Sequence, residues 1–277
     1  MNINNILESL NVLSNKLIGS IESEVYEILD KIISISPKIL KEEPLKHIFF
    51  PNEINGIILI ANSLLLFYIC YYIFSRILNM YNGGAVENVY KMILKTVIIL
   101  ILVNNSYYIC KEILNINYVL SESIDKFSEG IVNKEISFKT FKDEIMSLKD
   151  IIENDNLSID GIIKGMIAFV SISMLVSFSI RYVTIIFLII ISPFAFICLI
   201  SHTTRGISKM WGKLLFVNLI VQAFVKLFLL IPIVYKDKNS IMYKVILLGT
   251  MYILYKINNF VREFTSQISL PKLRGRE

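Results

Sequence analysis

Three polar side chains stand at helical spacing within a strongly apolar stretch of the chain: Asn218, Gln222 and Lys226. Residues at i, i+4 and i+8 share one face of a helix. A lysine in mid-span costs about 3 kcal/mol on insertion scales, so such residues usually face a bundle interior or a watery path. The stripe therefore predicts either a conduit lining that selects charge, or an interhelical face in which Lys226 snorkels and the amides join helices.

The sequence lacks the motifs that would indicate an enzyme. It contains no GxxxxGK[ST], HExxH, CxxC or GxSxG pattern. Cys70, Cys110 and Cys198 fall inside or at the end of apolar runs, which is typical of small membrane-embedded side chains and not of a metal site or disulfide framework. We therefore expect no catalytic residues, no cofactor and no metal.

Composition places the chain in a membrane. Its 277 residues are 55% hydrophobic and 18% charged, and the mean hydropathy is +0.61. Helices of a soluble domain need a polar face for water, which the long apolar runs lack. The sequence predicts an all-α, polytopic membrane protein.

The elements that must position the stripe follow from periodicity. Isoleucine and leucine recur every three or four residues over 2–35, with acids between them, which predicts an amphipathic helix too polar to span. That helix would lie on the bilayer or pack on a partner. Uncharged or nearly uncharged runs predict membrane spans at 54–75, 96–110, 182–204, 214–235 and 239–255.

These runs divide the chain into five regions. They are an extracytoplasmic helix and linker (1–53), two spans (54–110), an extracytoplasmic insert with helical stretches such as 138–152 (111–164), a membrane bundle (165–258) and a basic cytoplasmic tail (259–277). This orientation follows from the positive-inside tendency. It places three basic clusters in the cytoplasm: the 76–95 connection, the 205–213 turn and the tail.

The number of crossings depends on how residues 165–204 are arranged. An outside insert and an inside 205–213 turn require an odd number of crossings between them, yet this stretch is about twice as long as one crossing needs. In the favoured arrangement, with five crossings, Arg181 lies at the outer interface and 165–180 is buried against other helices or subunits. In the alternative, with six, the chain turns tightly at Arg181.

Pro193 and the residues after it form a block of their own. The proline removes a backbone hydrogen bond and bends its span, as a static kink or a hinge. Trp211, the only tryptophan, is typical of an interfacial anchor. Arg205, Lys209 and Lys213 would meet anionic lipid or an acidic partner at the cytoplasmic face.

This block resembles the TrbL-like polytopic channel component of type IV secretion and conjugation machines. The matching stretch runs from Arg181 to Gln222 and reads RYVTIIFLIIISPFAFICLISHTTRGISKMWGKLLFVNLIVQ. In that family, an outer amphipathic segment, two spans and an outer insert precede a hydrophobic block with an internal proline, a short basic turn and a tryptophan that opens the next span.

The resemblance implies a non-enzymatic subunit of the bacterial cytoplasmic membrane. Several copies would assemble beside the secretion ATPases and smaller membrane subunits, and the cargo would be single-stranded DNA with its attached relaxase, or a protein. The residues themselves predict no DNA-binding groove, because basic and aromatic residues are not interleaved. Two alternatives stay open: a secondary transporter or permease with a site near Lys226, and a scaffold without a conduit.

Overall fold

The structure, a computed structural model, describes residues 24–41, 43–49, 56–83, 88–132, 136–142, 159–201, 204–235 and 240–267. Every regular element within these ranges is helical, so the all-α prediction is confirmed. The helices are α1 (24–33), a short 3-10 helix (Pro37–Lys41), α2 (Glu43–Phe49), α3 (Gly56–Tyr81), α4 (Val89–Asn104), α5 (Ser106–Val132), α6 (138–142), α7 (Ile159–Ile190), α8 (Ser192–Ile197), α9 (Arg205–Val234) and α10 (Ile241–Gln267).

Three described segments are long and apolar enough to cross a membrane: α3, residues Phe169–Ile190 of α7, and α9. The mean hydropathy of their most apolar windows is 2.2, 2.1 and 2.4, respectively. Helices α4 and α5 pass the same criterion as a pair bent by 65°, which raises the number to four if the pair is one broken span. The chain has the helices of a multi-pass membrane protein, and the described helices do not reach the predicted five crossings.

The predicted span 96–110 is not one straight helix. Asn104 and Asn105 donate their side-chain amides to the carbonyls of Leu100 and Ile101, each over 2.8 Å. Such bonds compete with the helical ladder, and the backbone leaves the helix at Asn105 before α5 begins at Ser106.

Two other predicted segments are more continuously helical than the sequence indicated. The first part of the 111–164 insert is the continuous helix α5, and the predicted helix 138–152 is described only as α6, the rest lying outside the described residues. The predicted 205–213 turn is the first part of α9, because these residues continue the helical run that starts at Arg205.

Helix α7 runs through Arg181 without interruption. The tight turn that six crossings require at this position is therefore absent, and the backbone leaves the helix only at Ile191. Pro193 follows in the first turn of α8, where a missing N–H costs nothing because it has no helical partner. The structure thus places the interruption two residues before the proline predicted to cause a kink.

The chain divides into two compact units. Unit 1 comprises Met1–Ile35, Tyr118–Val183 and Val217–Glu277, and unit 2 comprises Ser36–Asn117 and Thr184–Phe216. The core of unit 1 is built from one face each of several helices, including Leu29 of α1, Phe141 of α6, Phe178 of α7, Val225 of α9 and Leu247 of α10, all fully buried.

Helix α10 contains most of the predicted span 239–255 and is not among the three candidate membrane spans of the described residues. It buries Leu247, Met251, Leu254 and Ile257 in the unit 1 core. On the remainder it carries Lys256 and Asn258, and the Asn258 amide donates to the Ser177 hydroxyl over 2.8 Å. The outer side of α10 also carries large apolar side chains, including Met242 (58% exposed), Val245 (57%) and Tyr252 (52%).

The described part of the N-terminal helix packs into the core of unit 1, to which it belongs. Val25, Leu29 and Ile33 of α1 are buried in its core, whereas Ile28, predicted on the apolar face, is 41% exposed. The apolar face is therefore displaced from the predicted one, because Tyr26 also turns inward and its hydroxyl shares a 2.7 Å hydrogen bond with Ser171. Residues 1–23 lie outside the described part.

Unit 2 contains α3, α4, α8 and the ends of the neighbouring helices. Asn62 of α3 donates its amide to the Asn104 carbonyl oxygen over 3.0 Å, which joins α3 to α4. The outer faces of α3 and α4 are apolar and exposed, for example at Phe67 (72%) and Ile101 (56%). Such a surface suits lipid or further protein and not water.

Candidate functional site

The polar stripe of α9 faces α5. Within unit 1, the Lys226 ammonium forms an ion pair with the Asp125 carboxylate and lies 3.5 Å from the Ser121 carbonyl oxygen. One turn earlier, the Gln222 amide donates to the Ser121 hydroxyl over 3.0 Å. The side chains of Gln222 and Lys226 therefore make interhelical contacts in this protomer, and Lys226 is ion-paired instead of snorkelling.

The ion pair is largely withdrawn from solvent. The side chains of Lys226 and Asp125 are 11% and 20% exposed. Asp125 Oδ2 receives Lys226, whereas Asp125 Oδ1 is buried and has no hydrogen-bond partner among the described residues. A buried carboxylate oxygen left unmatched is costly, so the site has capacity for one more donor.

Asp125 was not singled out from the sequence. It lies in the segment predicted to be an extracytoplasmic insert, where acidic residues are expected and attract no attention. The signal that could have found it is periodic: Ser121, Asp125 and Ser128 recur at helical spacing on α5, and Ser121 and Ser128 are 2% and 0% exposed. A row of small polar side chains along one face of an amphipathic helix indicates a face that packs closely on a neighbouring helix.

Asn218, the first residue of the stripe, is joined to α7. Its backbone carbonyl accepts a 2.7 Å hydrogen bond from Arg181 Nε. Arg181 is 2% exposed and lies near the middle of the candidate span Phe169–Ile190. Its Nη1 and Nη2 have no hydrogen-bond partner among the described residues. The outer-interface position predicted for Arg181 stays a prediction, and its side chain packs inward.

A cavity of about 450 Å³ adjoins the ion pair within unit 1. Charged side chains line it from several helices: Asp30 of α1, Glu122 and Asp125 of α5, Lys139 of α6 and Lys226 of α9. The rest of the wall consists of serine hydroxyls, the Gln222 amide, two aromatic residues and aliphatic side chains such as Val225 and Leu229. The volume falls in the range of small-molecule sites.

Asp30 fixes one wall of this cavity. Its Oδ1 and Oδ2 accept hydrogen bonds from the backbone N–H groups of Phe138 and Lys139 over 2.6 and 3.0 Å. These N–H groups open α6 and have no helical acceptor of their own. The carboxylate of α1 thus caps α6 and holds Lys139 at the cavity, a contact that the sequence did not predict.

The Pro193–Trp211 block forms a packed element in unit 2. The Trp211 indole N–H donates to the Leu188 carbonyl at the end of α7 over 2.8 Å. The Phe196 ring of α8 meets the Trp211 ring edge-on at 5.3 Å between centroids. Trp211 is 9% exposed and Pro193 is buried. The tryptophan is therefore bonded within the protein, and its role as an interfacial anchor stays a prediction.

The three basic residues of this block lie on the first turns of α9. Lys209 and Lys213 are exposed and Arg205 is half-buried. None of the three forms an ion pair with a described residue. Their predicted contact with anionic lipid or an acidic partner stays a prediction.

The charged groups of the cavity do not converge as metal ligands. Among the described residues, no group of three or more His, Cys, Asp or Glu side chains could hold a metal ion. The chemistry that the site supports is hydrogen bonding and charge pairing.

Comparisons with protein-family models, with curated proteins and with solved structures find no significant match to this chain.

Proposed function

We propose that the chain is a non-enzymatic channel or scaffold subunit of a conjugative type IV secretion machine. It would help single-stranded DNA–protein complexes to cross the cytoplasmic membrane. The proposal starts from the resemblance of the Arg181–Gln222 stretch to TrbL-like subunits, which have no catalytic signature and depend on neighbouring ATPases for energy.

The observation that carries the proposal is the packing of the residues behind this resemblance. Pro193 and Phe196 lie on the same short helix, Phe196 meets the Trp211 ring, and the Trp211 indole bonds to the end of α7. A proline, a basic segment and a tryptophan scattered through apolar sequence would carry little weight. Here they belong to one helix–break–helix element. This packing supports the proposal that the chain shares its architecture with TrbL-like subunits.

Exposed apolar surface supports assembly within a bilayer. The outer faces of α3 and α4 carry large exposed side chains, including Leu66 (64%) and Phe74 (61%). Lipid and further copies or other subunits would cover these faces. The proposed environment is therefore a homo-oligomer set among the ATPases and smaller subunits of the machine.

The ion pair bears on where the cargo passes. In this protomer Lys226 is matched by Asp125, so the stripe offers no unmatched cationic row to a DNA backbone. Single-stranded DNA requires a positively charged groove with stacking side chains. We therefore place the path between copies or beside this subunit.

A second candidate is a solute permease with its site near Lys226. The charged cavity of about 450 Å³ favours it, because ionisable groups beside an aqueous cavity in a membrane bundle often bind transported solutes. This candidate predicts uptake by the purified protein reconstituted alone in vesicles.

Two measurements separate the candidates. Genes for a secretion ATPase, a coupling protein or a relaxase beside this gene would support the conjugation subunit. Copurification after cross-linking in a mating donor should recover the secretion ATPase in the same complex. Absence of the ATPase from the complex, together with solute uptake by the subunit alone, would replace this proposal with the permease.

A further inference from the structure

Two contacts in unit 2 fix how α3 and α4 lie against each other. The Asn62 amide of α3 donates to the side-chain oxygen of Asn104, at the end of α4, over 3.0 Å. Further along α3, Tyr72 lines a cleft whose opposite wall carries Lys95 of α4. Because the second contact lies further forward on α3 and further back on α4, the helices are antiparallel, and the end of α3 lies beside the start of α4.

This register collects three cationic side chains at one end of the helix pair. At a rise of about 1.5 Å per residue, Arg76 lies about 21 Å beyond Asn62 along α3. By the same measure, Lys91 lies about 20 Å before Asn104 along α4. Arg76 and Lys91 are therefore at nearly the same level. Lys95 follows one turn further along α4, on the same face as Lys91.

These three cations have no counter-charge within the helix pair. Residues 56–83 and 88–104 contain no aspartate or glutamate, and Glu87 is the only acid between residues 56 and 111 of the sequence. None of the three cations is ion-paired within the described part of the chain. Arg76 Nη1 is buried and has no hydrogen-bond partner among the described residues. A guanidinium donor left unmatched in this way has capacity for an anionic acceptor.

The same end of the pair has the residues of a membrane–water interface. Helix α3 is a candidate membrane span, and exposed tyrosines stand around its last turns and the first turn of α4: Tyr71 (60%), Tyr81 (90%) and Tyr90 (74%). Tyrosine is enriched where a bilayer meets water. Arginine and lysine near the end of a span also extend their charged groups to this level. A charged lipid headgroup would therefore be within reach of the three cations.

The surface around the cations favours a lipid over a free anion. Large apolar side chains adjoin them in the sequence, for example Ile77 (57% exposed) and Leu94 (50%). Such side chains favour contact with hydrocarbon. An anionic phospholipid satisfies both features, because its phosphate accepts hydrogen bonds from the cations and its acyl chains cover the apolar side chains.

We propose that the paired ends of α3 and α4 bind the phosphate of an anionic phospholipid. The Arg76 guanidinium donates to the phosphate oxygens, for which its planar fork is well matched. Lys91 and Lys95 supply positive charge from the neighbouring helix. Because the cations come from both helices, the bound phosphate bridges α3 and α4 at the membrane surface. This inference does not rest on the proposed conjugative function.

Native mass spectrometry of the full-length protein in detergent tests the proposal, with dioleoyl phosphatidylglycerol as the probe. Dioleoyl phosphatidylcholine has the same acyl chains and no net charge, and the deacylated phosphatidylglycerol headgroup has the phosphate without acyl chains. The wild-type protein should bind phosphatidylglycerol about tenfold or more tightly than either comparison compound. Arg76→Gln with Lys95→Gln should remove most of this preference, because two of the three positive charges are lost.

Two further variants keep the test interpretable. Lys209→Gln with Lys213→Gln removes the same number of charges from exposed side chains of α9 and should leave phosphatidylglycerol binding unchanged. A general attraction of basic residues for anionic lipid would be weakened equally by both pairs. If the Arg76 and Lys95 variant does not fold, Lys91→Gln, at an exposed position, replaces it and should weaken binding about threefold.

Four results would overturn the proposal: equal phosphatidylglycerol binding by wild type and the α3–α4 variants, equal weakening by the α9 pair, equal binding of phosphatidylcholine, or equal binding of the deacylated headgroup. None of these results bears on DNA transfer by the machine, so the proposed function stands or falls separately.

Discussion

The Lys226 ammonium of α9 is ion-paired with the Asp125 carboxylate of α5, and the two side chains are 11% and 20% exposed. The pair joins a helix inside a candidate membrane span to a helix that the sequence predicts outside the membrane. Together with the Gln222–Ser121 hydrogen bond of 3.0 Å, it makes the register of α5 on α9 specific.

Breaking this pair from one side should destabilise the protein. Lys226→Met leaves the Asp125 carboxylate buried without a counter-ion, which we expect to cost about 3 kcal/mol of unfolding free energy. Thermal unfolding in detergent measures the loss. The control variant Lys213→Met replaces an exposed lysine on the same helix and should change the stability little. The neutral double variant with Asp125→Asn should recover most of the stability. A double variant as unstable as Lys226→Met alone would contradict the pairing.

Removing the Arg181 side chain should instead raise the stability of the protein. Its guanidinium makes one bond to the Asn218 carbonyl, and its Nη1 and Nη2 are buried without a described partner. Because a poorly compensated buried charge is costly, we expect Arg181→Met to stabilise the isolated subunit by about 1 to 3 kcal/mol. Thermal unfolding measures the change in stability. The control variant Arg205→Met replaces a half-buried arginine on α9. A marked loss of stability would mean that the guanidinium is compensated by groups beyond the described residues.

Trp211 provides a direct optical test of the unit 2 packing, because it is the only tryptophan of the chain. At 9% exposure, with its N–H bonded to the Leu188 carbonyl, it should emit at short wavelength and resist quenching by acrylamide. Trp211→Phe loses that hydrogen bond and should lower the free energy of unfolding by about 1 kcal/mol. Strong quenching by a headgroup-depth quencher in lipid would instead favour the interfacial anchor.

The side of the membrane at which α9 begins can be determined by labelling. Ile207 is 51% exposed, so a cysteine placed there is reachable. In a background with Cys70, Cys110 and Cys198 replaced by alanine, Ile207→Cys should resist a membrane-impermeant maleimide in intact cells and react after permeabilisation. Reaction in intact cells would contradict the predicted cytoplasmic position of Arg205, Lys209 and Lys213.

Hydrophobic patterning predicted much of the fold and little of the site. The long apolar runs that became α3 and α9 are unambiguous, because their length alone exceeds what a soluble helix can bury. The break at Asn105 was missed because side-chain bonds to the carbonyls of Leu100 and Ile101 compete with the helix locally, whatever the hydropathy.

The partner of Lys226 could not be predicted for a different reason. Helical spacing assigned Asn218, Gln222 and Lys226 to one face, but it contains no information on which distant helix meets that face. Asp125 is separated from Lys226 by about a hundred positions, and its contact depends on how α5 packs on α9. A pairing of this kind is a property of tertiary packing and not of local pattern.

Conjugative transfer from a donor that lacks this gene tests the central proposal most directly. An in-frame deletion should reduce transfer of the resident element to the level of a donor without the secretion ATPase, and the wild-type gene supplied in trans should restore it. The cavity variant Asp125→Asn with Lys226→Met, at normal protein level, should also restore transfer, since the proposed path does not run through that cavity. Unchanged transfer in the deletion strain would contradict the proposed function.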